Sequence, residues 1–271
     1  MAAPFLILLA IAGGLAGPLV GDEVAETPSG ERPAAEAEAA PKPLALPGMK
    51  INVEEQCLDV EAEVCLVEGY LELVACTEQT KEHESIIAVK AKAAHIHAGL
   101  LLLGATPGNP AMRKPIDEEM TRWREYPPRG GLVRVSLLVP GEDGKIEEHP
   151  ISRFIRRAVD EYMPEAGDEE PEAFPTDSFL FTGSQLFRPK EGPPRYLADD
   201  SGNLISLATF GDETLALPGV HSKENGALVW EVDPTKLPAM GTKITLRLAP
   251  VRPDAEKEPA PESPTVPESD E

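Results

Sequence analysis

Three of the five histidines, His83, His95 and His97, fall within fifteen residues and stand beside Lys81, Glu82 and Glu84. Neutral imidazole and carboxylate are both ligands for zinc and similar divalent ions. On an extended strand a His-x-His pair turns both rings to one face, whereas on a helix the two diverge by about 200°. The pair sits near the start of an apolar helical stretch, so only one of its members shares a site with the residues upstream. The ligand set is then His83, Glu84 and His97 with a fourth position open, the geometry of a catalytic rather than a structural metal. The cofactor expected is such a zinc-like metal or none. In that metal site Lys81 would orient an anionic substrate group; without a metal, Lys81, His83 and Glu84 form an acid/base set with Ser85 as the neighbouring hydroxyl nucleophile. A structural reading competes with both: His97 is a helix-entrance histidine bonded to backbone or to Glu84, and Lys81-Glu82-His83-Glu84 is a solvated turn.

The three cysteines, Cys57, Cys65 and Cys76, allow one disulfide in an oxidising compartment. Cys57 and Cys65 share parity and are placed on neighbouring strands, which leaves Cys76 beside the Lys-Glu-His-Glu segment; three reduced, buried thiols are the alternative. Thr182-Gly183-Ser184 and Asp199-Asp200-Ser201-Gly202 read as turns, since no closing Glu follows Asn203 where a calcium loop needs one. The chain has no Gly-x-Gly-x-x-Gly, Walker or Gly-x-Ser-x-Gly pattern, which disfavours nucleotide binding and α/β-hydrolase chemistry.

These residues must be positioned by a chain of 271 residues with 47 acids, 25 Lys and Arg and a net charge of −22. That balance argues against nucleic acid as a partner, because a phosphate-binding surface needs clustered cations. Residues 1–21 carry no charged side chain, and Phe5 to Val20 is almost wholly apolar but broken by Gly13-Gly14 and Gly17-Pro18. The stretch reads as a secretory signal rather than a spanning helix. Residues 22–48 and 251–271 are rich in Pro, Ala and Glu and poor in large apolar side chains, so they read as disordered acidic spacers. Residues 49–250 remain as a single domain.

Within it, Leu58, Val60, Ala62, Val64 and Leu66 alternate with Asp59, Glu61 and Glu63, as in antiparallel strands with one charged face. Ser85–Val89, Leu132–Val139, Lys145–His149, Phe179–Thr182, Arg195–Ala198, Leu204–Ala208, Leu228–Val232 and Lys243–Leu248 supply further strands, with Asp200-Ser201-Gly202-Asn203 as a hairpin turn. Ala91–Leu103 is apolar on nearly every side and ends at Gly104, which predicts a buried, glycine-capped helix. Ile151–Tyr162 has the spacing of an amphipathic helix. Pro164–Pro175 reads as an acidic surface loop. The expected class is α+β: a largely antiparallel sheet with two or three packed helices.

Three stretches together resemble one family. Leu71-Glu72-Leu73 leads to Cys76 and Lys81-Glu82-His83-Glu84-Ser85; His97-Ala98-Gly99-Leu100-Leu101-Leu102-Leu103-Gly104 is followed by Pro107-Gly108; and Phe181-Thr182-Gly183-Ser184 precedes Tyr196-Leu197-Ala198-Asp199-Asp200-Ser201-Gly202. In this order, over roughly residues 50 to 220, they resemble the YdjY-domain family and look like its exported, planctomycete-type members. The resemblance implies a domain and no established activity. Some relatives are associated with iron–sulfur segments, but three cysteines are too few for a four-thiolate cluster. The function expected is therefore an exported ligand-binding or interaction module of the cell envelope, in the periplasm or outside the cell. Its partner would be an unknown ligand or envelope protein, with no membrane span after signal cleavage. The alternative is an extracytoplasmic metal-dependent enzyme built on the His/Glu set.

Overall fold

The strands pair into a sheet that closes on itself. The computed structural model describes residues 46–141, 143–158, 172–224 and 228–252. The regions read as the signal segment (1–21) and the spacers (22–48 and 251–271) lie wholly or mostly outside these, as does most of the Pro164–Pro175 loop. In chain order the strands are β1 (Met49–Asn52), β2 (Cys57–Val64), β3 (Leu73–Thr77), β4 (Ser85–Val89), β5 (Met112–Pro115), β6 (Trp123–Tyr126), β7 (Leu132–Pro140) and β8 (Ile146–Pro150). They continue with β9 (Ile155–Arg157), β10 (Ser178–Phe181), β11 (Leu186–Phe187), β12 (Arg195–Tyr196), β13 (Asn203–Ser206), β14 (Leu215–Ala216), β15 (Trp230–Val232) and β16 (Lys243–Pro250). Hydrogen bonding runs β2-β16-β7-β10-β14-β13-β3-β4, and β4 pairs back onto β2.

The result is a closed eight-stranded β-barrel, 39% strand and 12% helix among the described residues, which overturns the expected α+β class. The alternation itself was read with the right parity. Leu58, Val60, Ala62 and Val64 are buried in the core with Val133, Val135, Leu137, Phe179, Phe181, Leu246 and Leu248. An open sheet covered by helices and a closed barrel produce the same one-sided pattern, so periodicity alone does not separate them. The barrel buries this face against its own far wall. On the outside, Arg247 of β16 makes paired bonds of 2.7 and 2.8 Å to Asp59 of β2 and one of 3.0 Å to Glu148 of β8, an ionic ladder across the wall.

Two helices are described, α1 (Ala93–Leu102) and the single turn α2 (Leu197–Ser201). The glycine cap of α1 is as expected: Gly104 has φ +81°, its N–H donates to Leu101 O at 2.9 Å, and Ala105 N–H reaches Leu100 O at 3.0 Å. The helix is not buried all round, however. Ala93, Ile96, Gly99 and Leu100 pack inward, while Leu101 and Leu102 are 45% and 66% exposed. Gly99 lets the helix approach closely there, since a Cβ would stand 3.0 to 3.2 Å from the side-chain ends of Met49 and Leu58.

The helix expected over Ile151–Tyr162 is replaced by a 3-10 turn, Ile151–Phe154, and the strand β9. Asp177 accepts the Ser152 N–H at 2.8 Å and caps the turn, and β9 then pairs antiparallel with β15. Tertiary pairing of a β-branched residue with Val232 outweighs helical spacing here; residues 159–162 lie outside those described. Likewise the strand expected at Arg195–Ala198 stops at Tyr196, and the chain turns into α2. Gly202, with φ +82°, ends that helix rather than forming a hairpin. No helix among the described residues is long and apolar enough to cross a membrane.

Candidate functional site

β3 and β4 run parallel, so residues 78–84 must carry the chain back along the wall, and this connection holds the sequence-predicted catalytic pair. Lys81 Nζ is 2.7 Å from Glu84, 3.6 Å from Glu72, and 3.9 Å above the Phe210 ring centre. Lys81 and Glu84 are thus brought together, with Glu72 as a third member that spacing did not reveal. Burial, and then the nearby Glu84 charge, hold the Glu72 carboxyl above the ordinary carboxylate range, with Lys81 pulling against them. Ser85 is fully buried and its hydroxyl donates to Lys81 O at 2.7 Å, so it is committed to backbone rather than free as a nucleophile.

The two histidines expected as metal ligands have different surroundings. His83 is 78% exposed in its side chain, with Nε2 3.7 Å from Glu84. His97, on α1, has Nδ1 2.9 Å from the Tyr196 hydroxyl and lies edge-on to Phe181 with ring centres 4.8 Å apart. Tyr196 donates its proton to Gly183 O at 2.8 Å, so the phenol oxygen accepts from an Nδ1–H imidazole and Nε2 is left as acceptor. Burial lowers the His97 pKa, which keeps the ring neutral. His95 diverges from His97 as a helix requires. No three His, Cys, Asp or Glu side chains are grouped as metal ligands among the described residues.

A third feature was not anticipated from sequence. An open groove of about 850 Å³ lies between the β5–β6 hairpin and the loops at Thr209–Gly211 and Val220–Glu224. Phe210 and Tyr126 give it aromatic faces, and Arg113, Lys114, Lys223 and His221 line it. The Phe210 loop is fixed from below by Glu213, which is fully buried. One carboxylate oxygen of Glu213, Oε2, accepts the N–H groups of Phe210 (3.2 Å), Gly211 (2.6 Å) and Asp212 (3.1 Å). Its other oxygen, Oε1, has no partner among the described residues, and neither do Asn203 Oδ1 and Ser206 Oγ. Burial raises the Glu213 pKa; its own backbone N–H and those of Gly211 and Asp212 oppose the shift. Lys81, stacked on Phe210, ties this floor to the crossover.

A family model for the YdjY domain matches residues 49–249. The chain belongs to the YdjY domain family. No curated protein and no solved structure matches it. In this YdjY domain the stretches that carry the resemblance meet in space. His97 packs on Phe181 and Tyr196, and Gly183 sits where a Cβ would be 2.9 Å from the imidazole. Ser184 Oγ accepts the Ala198 N–H at 3.1 Å, and Asp199 accepts the Ala94 N–H at 3.2 Å. Gly202, the last residue of the third stretch, faces Thr80 so closely that a side chain there would overlap it. These residues join α1, α2 and the barrel; His97 stands within α1 rather than at its entrance, and its side-chain partner is Tyr196 rather than Glu84.

The cysteines of the YdjY domain are also placed differently from expectation. Cys57 opens β2 and Cys65 follows its last residue, so the two lie at opposite ends of one strand, about 26 Å apart at the usual rise per residue. A bond between them is excluded by that separation. Cys65 instead donates to Ser85 O at 3.1 Å beside Cys76, and Cys57 lies next to Asp59 and Arg247. The groove escaped sequence reasoning because its walls come from segments about 100 residues apart. The one local signal was Phe210-Gly211-Asp212-Glu213, an aromatic residue on a tight turn.

Proposed function

We propose that this YdjY domain is an exported ligand-binding module of the cell envelope whose ligand lies in the groove beside Phe210. Export rests on the uncharged apolar segment 1–21. The binding role rests on the groove: a concave, partly aromatic space of about 850 Å³ with a few convergent polar groups, carried on loops that a closed barrel holds in place. The floor is preorganised, with Phe210 held between Lys81 above its ring and Glu213 under its backbone. Binding is favoured over acid/base chemistry at the crossover because Lys81 is engaged by two carboxylates and Ser85 by a carbonyl.

The test is a thermal-shift screen of the full chain against small metabolites and cell-wall fragments, repeated on Phe210→Ala and Tyr126→Ala. The proposal expects compounds that raise the wild-type Tm and lose that effect in both variants. Hits indifferent to both substitutions, or a screen without hits, contradict it.

A further inference from the structure

Building on the groove as the binding site, we propose that its ligand is an organic anion, a carboxylate joined to a flat apolar portion. The chain as a whole carries −22, so a small anion meets a repelling surface over most of the molecule. The groove departs from that background. Its lining holds Arg113, Lys114, Lys223 and His221 against Glu125 and Glu224, and Glu125 is engaged by Arg113 at 3.4 Å. Lys114 and Lys223 form no ion pair among the described residues. Their ammonium groups stand by the aromatic walls instead, Lys114 at 5.5 Å from the Tyr126 ring centre and Lys223 at 5.8 Å from that of Phe210.

A cation near 6 Å from a ring is held only weakly, so both ammonium groups can turn to an incoming anion at little cost. They are point charges on flexible stems, so either can turn to a singly charged head without a fixed fork geometry. Each lysine head lies beside a ring, so a ligand whose charge meets Lys114 or Lys223 places its remainder on Tyr126 or Phe210. His221 does not compete for the charge: its Nε2–H donates to Pro218 O at 2.9 Å. The surrounding acids make a doubly charged head less favourable than a singly charged one.

The probes are benzoate, 2-naphthoate and indole-3-acetate, each paired with its neutral amide, together with inorganic phosphate. Binding to the full chain is measured by calorimetry at low and high salt. The carboxylates are expected to bind about ten-fold more tightly than the amides, with affinity falling as salt rises. Lys114→Gln with Lys223→Gln should remove that preference and leave Tm unchanged. Amides that bind as well as the carboxylates overturn the anion while leaving the groove as the binding site. Phosphate that displaces the carboxylates with equal affinity overturns the flat carboxylate. No binding by any probe, with no Phe210-dependent compound in the wider screen, overturns the binding role itself.

Discussion

Glu213 shows what a single side chain does here. It is the anchor of the Phe210 loop and also a buried acid with one oxygen unpartnered among the described residues. Its pKa is raised in the folded state, so the fold binds the proton more tightly than the unfolded chain does. The associated stability is fully present below the unfolded carboxylate value and is lost as pH rises through the folded one. Glu213→Gln keeps an oxygen for the three N–H groups and has no charge to bury. We expect it to stabilise the protein at pH 8 by about 1 kcal/mol, roughly 2–4 °C in Tm, and to have no effect near pH 4. A Tm difference that does not change with pH would contradict the raised pKa. The same scale shows what side-chain types disclosed. Lys81 and Glu84 were identified as partners because they are close in sequence, and they meet at 2.7 Å. Glu72 and Phe210, which complete the group, come from elsewhere in the chain and have no spacing signal.

At the scale of elements, the junction of α1, α2 and the loop after β10 depends on one backbone position. Gly183 has φ +80°, and a Cβ would stand 2.9 Å from His97 Cε1. Gly183→Ala therefore adds left-handed strain to a clash with a half-buried imidazole that Tyr196 holds in place. We expect a loss of about 1–3 kcal/mol by chemical denaturation. In a His97→Ala background the same substitution should cost less than in the wild type, because the clash is relieved while the strain remains. An equal cost of Gly183→Ala in the wild-type and His97→Ala backgrounds would mean that the imidazole contact contributes nothing. Elements also mark where sequence reading stopped. Helix α1 was legible because its glycine cap is local, whereas the exposure of Leu101 and Leu102 depends on what packs against them. Ile151–Tyr162 failed for the opposite reason. Its helical spacing is real, but a cap from Asp177 and a strand partner at Trp230–Val232 lie 25 or more residues away.

For the whole molecule, the strands β2, β4, β7, β8, β10, β13, β15 and β16 and the inward parity of β2 were legible, because alternation is written residue by residue, whereas β5, β6, β9, β11 and β14 were not. Closure was not. It depends on β2 pairing with both β16 and β4, contacts that no local pattern encodes. Closure also decides where function can sit. The barrel interior is filled by Leu, Val, Ile and Phe, so a ligand site must be built on the loops and hairpins outside it. The groove meets that condition, drawing on β5, β6 and two loops. The measurement that tests this most directly is hydrogen–deuterium exchange on the full chain, with and without a compound selected by the thermal-shift screen. Protection confined to residues 112–126 and 209–224, lost in Phe210→Ala, is the result expected. Protection centred on the Lys81–Glu84 crossover or on His97 and Tyr196, with the groove unchanged, would contradict it.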